Sequence, residues 1–466
     1  MAQAHDSEWT NPHLTGNNTP VYDEITATEL EVIGEIPRDI SGNFLRTGPN
    51  PYFVPDEPRY HIFDGDGMLH GLHLTNGTAT YRNRFVDSQG LREEREKGQW
   101  IFPGLNMFGD YIAKGEMPPT KNTGNTAMVF HQGQFFTMME GGTPYRVELP
   151  ELNTVGEHDF AGTLTHNFTA HPKVDAKTGE MMTFGYGISP PFLTYSVVGT
   201  DGRANHTTEI TIPKPVMMHD CAITERFTIF PDLPLVFDFE KMMTGEGFVQ
   251  WDPDNGCRIG IVPRRGDDSS IKWFEIEESF LFHVANAWEE EDVVVFQACR
   301  SNRGGIVTAE DGDVSQQLGQ LHEWRFNLTS GEVQSKPLDN GYYCDFPRIH
   351  DDYVGYKNRY TYAARFRLEE NPTFDGEMKY DNKTGEILVH EFGPNQESGE
   401  AVFAPRMNAT SEDDGYVICF VYDKTTHSSE CVILDAQKFT DEPVARIKIP
   451  QRVPHGFHAA WVPDSK

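Results

Sequence analysis

A chain of 466 residues with 38% hydrophobic content is long enough for one large closed fold or for two domains. Its 39 basic and 71 acidic side chains leave a formal net charge of −32, a field that repels phosphate backbones and anionic lipid surfaces. Nucleic acid is therefore excluded as a partner, and the acidity otherwise reads as a well-solvated surface.

The start of the chain, Met1-Ala2-Gln3-Ala4-His5-Asp6, lacks the charged onset and apolar run of a signal peptide, and no run approaches eighteen apolar residues. A cytoplasmic chain without a transmembrane helix is expected. Few stretches keep a 3.6-residue apolar period. Short β-rich runs recur instead between tight turns, the pattern of an all-β sandwich, barrel or propeller. Asn76-Gly77 separates two such runs at 71–74 and 80–83, a hairpin connection because both residues tolerate positive φ. Residues 100–112 break the pattern: they are apolar and aromatic, hold Pro103, Gly104 and Gly109, and keep no strand alternation. Two readings stand for the stretch around 101–112, buried loop packing or an exposed apolar lip that admits a greasy substrate or touches a membrane.

Lys177-Thr178-Gly179-Glu180 opens a series of Gly-Glu turns that returns at 329–332 and 383–386, each flanked by strand-like residues. Between the first two, Asp201-Gly202 joins runs at 193–198 and 209–212. Hairpins repeated across the chain without a Pro/Ser-rich linker favour one domain over residues 1–466, a single closed ring of sheets. The six cysteines, Cys221, Cys257, Cys299, Cys344, Cys419 and Cys431, form no C-x-x-C pair and sit mostly in apolar runs, so they read as buried free thiols of a reducing compartment.

Among 18 histidines, His171, His219, His283 and His458 lie in apolar or small-residue surroundings at expected strand edges, where a neutral imidazole needs partners for both ring nitrogens. Each alone reads as a satisfied core histidine, and no short spacing links them as a local metal motif. A ring of sheets changes this, because inner strands of different sheets converge on one axis and each can present one ligand there. An all-imidazole shell suits Fe(II), Cu or Zn. Glu140, Asp345 and Glu400 lie in similarly apolar or strand-like settings and could accept from ligand imidazoles, although each taken singly reads as a loop carboxylate.

Read together, these contexts resemble the carotenoid cleavage oxygenase family. The resemblance spans nearly the whole chain, from Gly42-Asn43-Phe44-Leu45-Arg46-Thr47-Gly48-Pro49 and Phe63-Asp64-Gly65-Asp66-Gly67 through Glu140-Gly141-Gly142, Ala170-His171-Pro172, Met218-His219-Asp220 and Phe282-His283-Val284-Ala285-Asn286 to Phe403-Ala404-Pro405-Arg406 and Gly456-Phe457-His458. It implies an all-β, seven-bladed β-propeller with loops and short helices capping its top face over an axial metal site. It also implies one Fe(II) per chain on the four histidines, with Glu140, Asp345 and Glu400 accepting from them and Thr126 beside a vacant iron position.

His166 and His455 become near decoys rather than ligands. The implied reaction is cleavage of a carbon–carbon double bond of an apolar, conjugated substrate, a carotenoid or apocarotenoid, by a non-haem dioxygenase using O2. Asp345 stands where many members carry Glu, and the chain resembles the plant-type enzymes that cut carotenoids and apocarotenoids at the 9,10 bonds. Stilbene cleavers commonly place a lysine where this chain has Met139. Cleavage of hydroxystilbenes by the same centre is the alternative within enzymes, and a non-catalytic propeller scaffold is the alternative outside them.

Overall fold

The computed structural model describes residues 9–54, 57–238, 240–241, 249–304, 314–339, 341–369 and 372–464. Their strands pair into seven antiparallel sheets of four to six strands, arranged as the blades of a propeller, with a small two-stranded sheet beside them. Blades two to six each run outward in chain order, beginning on the axis with Ala127–His131, Lys173–Val174, Ala222–Ile223, Phe280–Glu290 and Cys344–Arg348, and the fourth is interrupted by the two-stranded sheet of Leu235–Phe237 and Val249–Trp251. The first and seventh blades are composite. Ala459–Pro463 pairs with Gly42–Pro49 as the inner strand of the first blade, and Val32–Gly34 pairs with Ala445–Ile449 as the outer strand of the seventh. Residues near both ends thus close the ring.

The hairpin turns fold as their residues dictate. Asn76 (φ 51°) and Gly77 (φ 78°) join Gly67–Thr75 to Thr78–Phe85, the positive φ pair that matches strand twist. At the Gly-Glu turns the chain uses one device repeatedly. The backbone N–H groups of Lys177 and Thr178 donate to Asp175 Oδ1 at 2.8 and 3.2 Å, those of Thr329 and Ser330 to Asn327 Oδ1 at 2.9 and 2.8 Å, and that of Lys383 to Asp381 Oδ1 at 2.8 Å. A side-chain oxygen so placed nucleates the turn. The same bonds run from Thr425 and Thr426 to Asp423 Oδ1, where His427 (φ 51°) takes the place of glycine.

Each gap between neighbouring blades holds its own apolar cluster, and alternate residues of one strand enter different gaps. Phe44 packs with Leu72, Ile418 and Ile433 between the first and seventh blades, while Leu45 packs with Leu69, Phe135 and Tyr145 between the first and second. Val417 and Cys419 face Tyr362 and Phe403 of the other neighbouring gap. Because both faces of these strands are covered, sequences such as 417–421 are apolar throughout rather than alternating. All six cysteines are free and buried, and no helix among the described residues is long and apolar enough to cross a membrane. Residues 105–112 form two short helices, Leu105–Met107 and Phe108–Ile112. Met107 is buried, Asn106 and Asp110 are exposed, and the rest are half-buried.

Phe44 is fully buried at the closing gap. Phe44→Ala is expected to lower stability by about 3–5 kcal/mol, read as a fall in the urea midpoint of unfolding.

Candidate metal centre

The inner strands deliver the four histidines to one point on the axis. One nitrogen from each of His171, His219, His283 and His458 lies within 4.8 Å of the others. His171 Nε2 stands 3.0 Å from His219 Nε2, which stands 3.1 Å from His283 Nε2, and the His458 ring lies 4.4 Å from that of His171 and 4.7 Å from that of His283. His166 and His455 stay outside the cluster. His166 bonds to the Asn167 carbonyl and Ser196, and His455 to Glu397 at 3.1 Å.

Three carboxylates settle which nitrogen is bare in three of the four rings. Glu140 Oε1 meets His219 Nδ1, Asp345 Oδ1 lies 2.9 Å from His283 Nδ1, and Glu400 Oε1 lies 3.2 Å from His458 Nδ1. A carboxylate accepts, so each Nδ1 carries the proton and each Nε2 presents a lone pair. Lone pairs about 3 Å apart in a buried pocket repel unless a cation sits among them. The donor set therefore fits a bound metal ion, and the burial of the rings agrees. His171 is held well below the usual imidazole range by burial and by the three neighbouring histidines, and His458 is lowered by burial against the pull of Glu400. Burial lowers His283 too, but Asp345, with Asp220 and Glu400 behind it, more than offsets this and raises it.

Asp345 reaches His283 directly despite its short side chain. The strand Cys344–Arg348 carries one extra residue between Asp345 and Arg348 relative to its neighbour, and Phe346 takes φ 52° there. Such a bulge re-aims side chains. The Phe346 ring lands 4.9 Å from that of His283, nearly parallel to it, and Phe282 meets His219 edge-on at 5.5 Å. Thr126 adjoins the cluster through its carbonyl, which accepts from His458 N at 3.3 Å, while its hydroxyl donates to Asn125.

Two partners of these acids carried no sequence signal. The Tyr186 hydroxyl donates to Glu140 Oε2, and burial together with that carboxylate raises the phenol well above its usual range, so it stays a donor. Arg348 Nη1 lies 3.7 Å from Glu400 Oε1. Burial opposes charge on Glu400, yet His458 and Arg348 hold it below the usual carboxyl range. An axial cavity of about 360 Å³ backs the cluster, lined by inner-strand residues that include His171, His283, His458, Arg348 and Glu400.

Glu377, fully buried on Thr373–Asp381, is the opposite case. Burial, with Glu400 adding to it, raises its carboxyl well above 4.5. A raised folded-state value means that the unfolded chain loses this proton first, so native stability falls as pH rises above about 4.5. Glu377→Gln is expected to remove that part of the slope and to raise the thermal midpoint increasingly from pH 6 to pH 9. Parallel curves for parent and variant would show that the carboxyl is ionised.

The sequence profile of the retinal pigment epithelial membrane protein family (RPE65) matches residues 18–463. The carotenoid 9,10(9',10')-cleavage dioxygenase 1 of Phaseolus vulgaris is 38% identical over 99% of this chain and 91% of its own length. The crystal structure of the Pseudomonas brassicacearum lignostilbene dioxygenase superposes with a TM-score of 0.88 at 30% identity, over 97% of this chain and 99% of that one. A variant of the Synechocystis apocarotenoid oxygenase superposes with a TM-score of 0.84 at 28% identity, over 96% of this chain and 98% of that one, and a cobalt-substituted form of that oxygenase is also solved. On the propeller, the axial histidine cluster and these matches, the chain belongs to the RPE65/carotenoid cleavage oxygenase family.

Proposed function

We propose that His171, His219, His283 and His458 hold one Fe(II) ion and that the chain splits a carbon–carbon double bond of a carotenoid or apocarotenoid with O2, giving two carbonyl products. The observation that carries this reading is the set of bare imidazole nitrogens facing one another on the axis, each of three held from behind by a carboxylate. Such a neutral nitrogen shell accepts Fe(II), Cu or Zn alike. An oxygen-dependent cleavage needs a metal that exchanges electrons with O2, which excludes zinc.

Iron bound there supplies activation of O2 next to the alkene. The chain's own residues orient and exclude. Glu140, Asp345 and Glu400 fix the ring planes of their histidines, Thr126 stands beside the cluster, and the rings of Phe282 and Phe346 cover His219 and His283 with apolar surface. Adding both atoms of O2 across the broken double bond balances without a general acid or base. Buried free thiols support a cytoplasmic site of action.

Cleavage of a hydroxystilbene is the second reading, favoured by the likeness to the lignostilbene dioxygenase. Opposing it, the position before Glu140 is Met139, whose sulfur accepts from Thr123 N at 3.2 Å and which offers no charge to a phenol. Aerobic incubation of the Fe(II)-loaded protein with apocarotenals, full-length carotenoids and resveratrol, followed by mass analysis, separates the two. Apocarotenoid fragments are expected, and hydroxybenzaldehydes alone would reverse the assignment. His283→Ala should lose both stoichiometric iron and cleavage, whereas Glu140→Gln should retain iron and lose about 10- to 100-fold in activity or affinity.

A further inference from the structure

Asp220 follows His219 and is buried, and its carboxylate bonds to groups other than the four imidazoles. Its carboxylate is shared among three segments. Oδ2 accepts from Val284 N at 2.8 Å, the residue after His283. Oδ1 accepts from Cys221 N at 2.7 Å, two residues after His219, and pairs with Lys173 Nζ at 2.7 Å, two residues after His171. One side chain of the fourth blade thus touches the chain next to three histidines on three successive blades.

The bond to Val284 has a specific cause. Phe280–Glu290 is the inner strand of its blade and pairs with Val293–Ser301 alone, and its register slips on both sides of Val284. Leu281 faces Arg300 and Val284 faces Ala298, so the stretch holding Phe282 and His283 carries one residue more than its partner. A bulge on an edge strand leaves backbone groups without a ladder partner and leaves the bulged residue free to turn. Asp220 supplies the missing acceptor directly after His283. Glu400 does the same on the first blade, accepting from Ala459 N, the residue after His458.

We propose that Asp220 is a positioning residue of the metal centre, whose carboxylate ties the strand segments of His171, His219 and His283 together and sets the direction of their imidazoles. The inference rests on these histidines binding a metal and adds which group outside the ligands and their carboxylate partners sets the geometry. Loss of the charge frees Lys173, and loss of one acceptor oxygen frees either Val284 N or Cys221 N, since the Asn amide has a single carbonyl oxygen.

The test compares full-length parent, Asp220→Asn, Lys173→Met and the double variant for Fe(II) affinity, for the visible spectrum of the Co(II)-loaded protein and for apo-protein unfolding. Asp220→Asn is expected to weaken metal binding about 10- to 100-fold and to shift the Co(II) bands, with kcat reduced and KM for the alkene unchanged. In the double variant the unpaired ammonium is gone, so apo stability should recover while weak binding and the shifted bands persist. If affinity and spectrum instead recover together with stability, or Asp220→Asn matches the parent, Asp220 is a structural ion pair and the inference is wrong. A parent protein that takes up no metal would overturn the metal reading itself and this inference with it.

Discussion

Everything on the axis depends on the pairing of Gly42–Pro49 with Ala459–Pro463, which locks the last strand of the chain into the first blade. His458 immediately precedes that strand, and its N–H is taken by Thr126 of the second blade. If this seam opens, the fourth imidazole leaves the cluster and the gap packed around Phe44 is exposed. Closing a loop across more than 400 residues costs little more than closing a short one, since the entropy grows only with the logarithm of length. The closing gap is packed by its own apolar cluster around Phe44.

Around the axis the protein sets buried acids against buried imidazoles and gives each acid a different neighbour. Glu140 has the Tyr186 hydroxyl, Glu400 has Arg348, and Asp345 stands beside a bulge that brings it to His283. Glu377 lies in the same region without a compensating cation among the described residues, and burial raises its carboxyl instead. The contrast follows from desolvation, which favours the neutral carboxyl wherever no positive partner offsets it.

The hairpins were legible because Asn-Gly, Asp-Gly and the recurring Gly-Glu turns each demand a particular backbone, and the structure places turns at all of them. The four histidines were legible through the order of the surrounding motifs, since chain separation says nothing about residues brought together by a ring. Asp345 stands where many members carry Glu, and the bulge that lets the shorter side chain reach His283 leaves no mark in residue type. Tyr186 and Arg348 were likewise unreadable, because their partners are distant in sequence and their neighbours are ordinary strand residues. The stretch at 100–112 withheld an answer for a physical reason: short helices that are half-buried satisfy neither the core pattern nor the surface pattern.

The alternation of Phe44 and Leu45 into different gaps has a consequence for how such a chain can diverge. Blades around an axis are wedges whose angles must complete one full turn. Extra volume in one gap widens a wedge, and some other gap must narrow to compensate. Drift in the core is consequently a collective matter: substitutions tend to be accepted in sets whose volume changes cancel around the circle, while the axial residues stay in place.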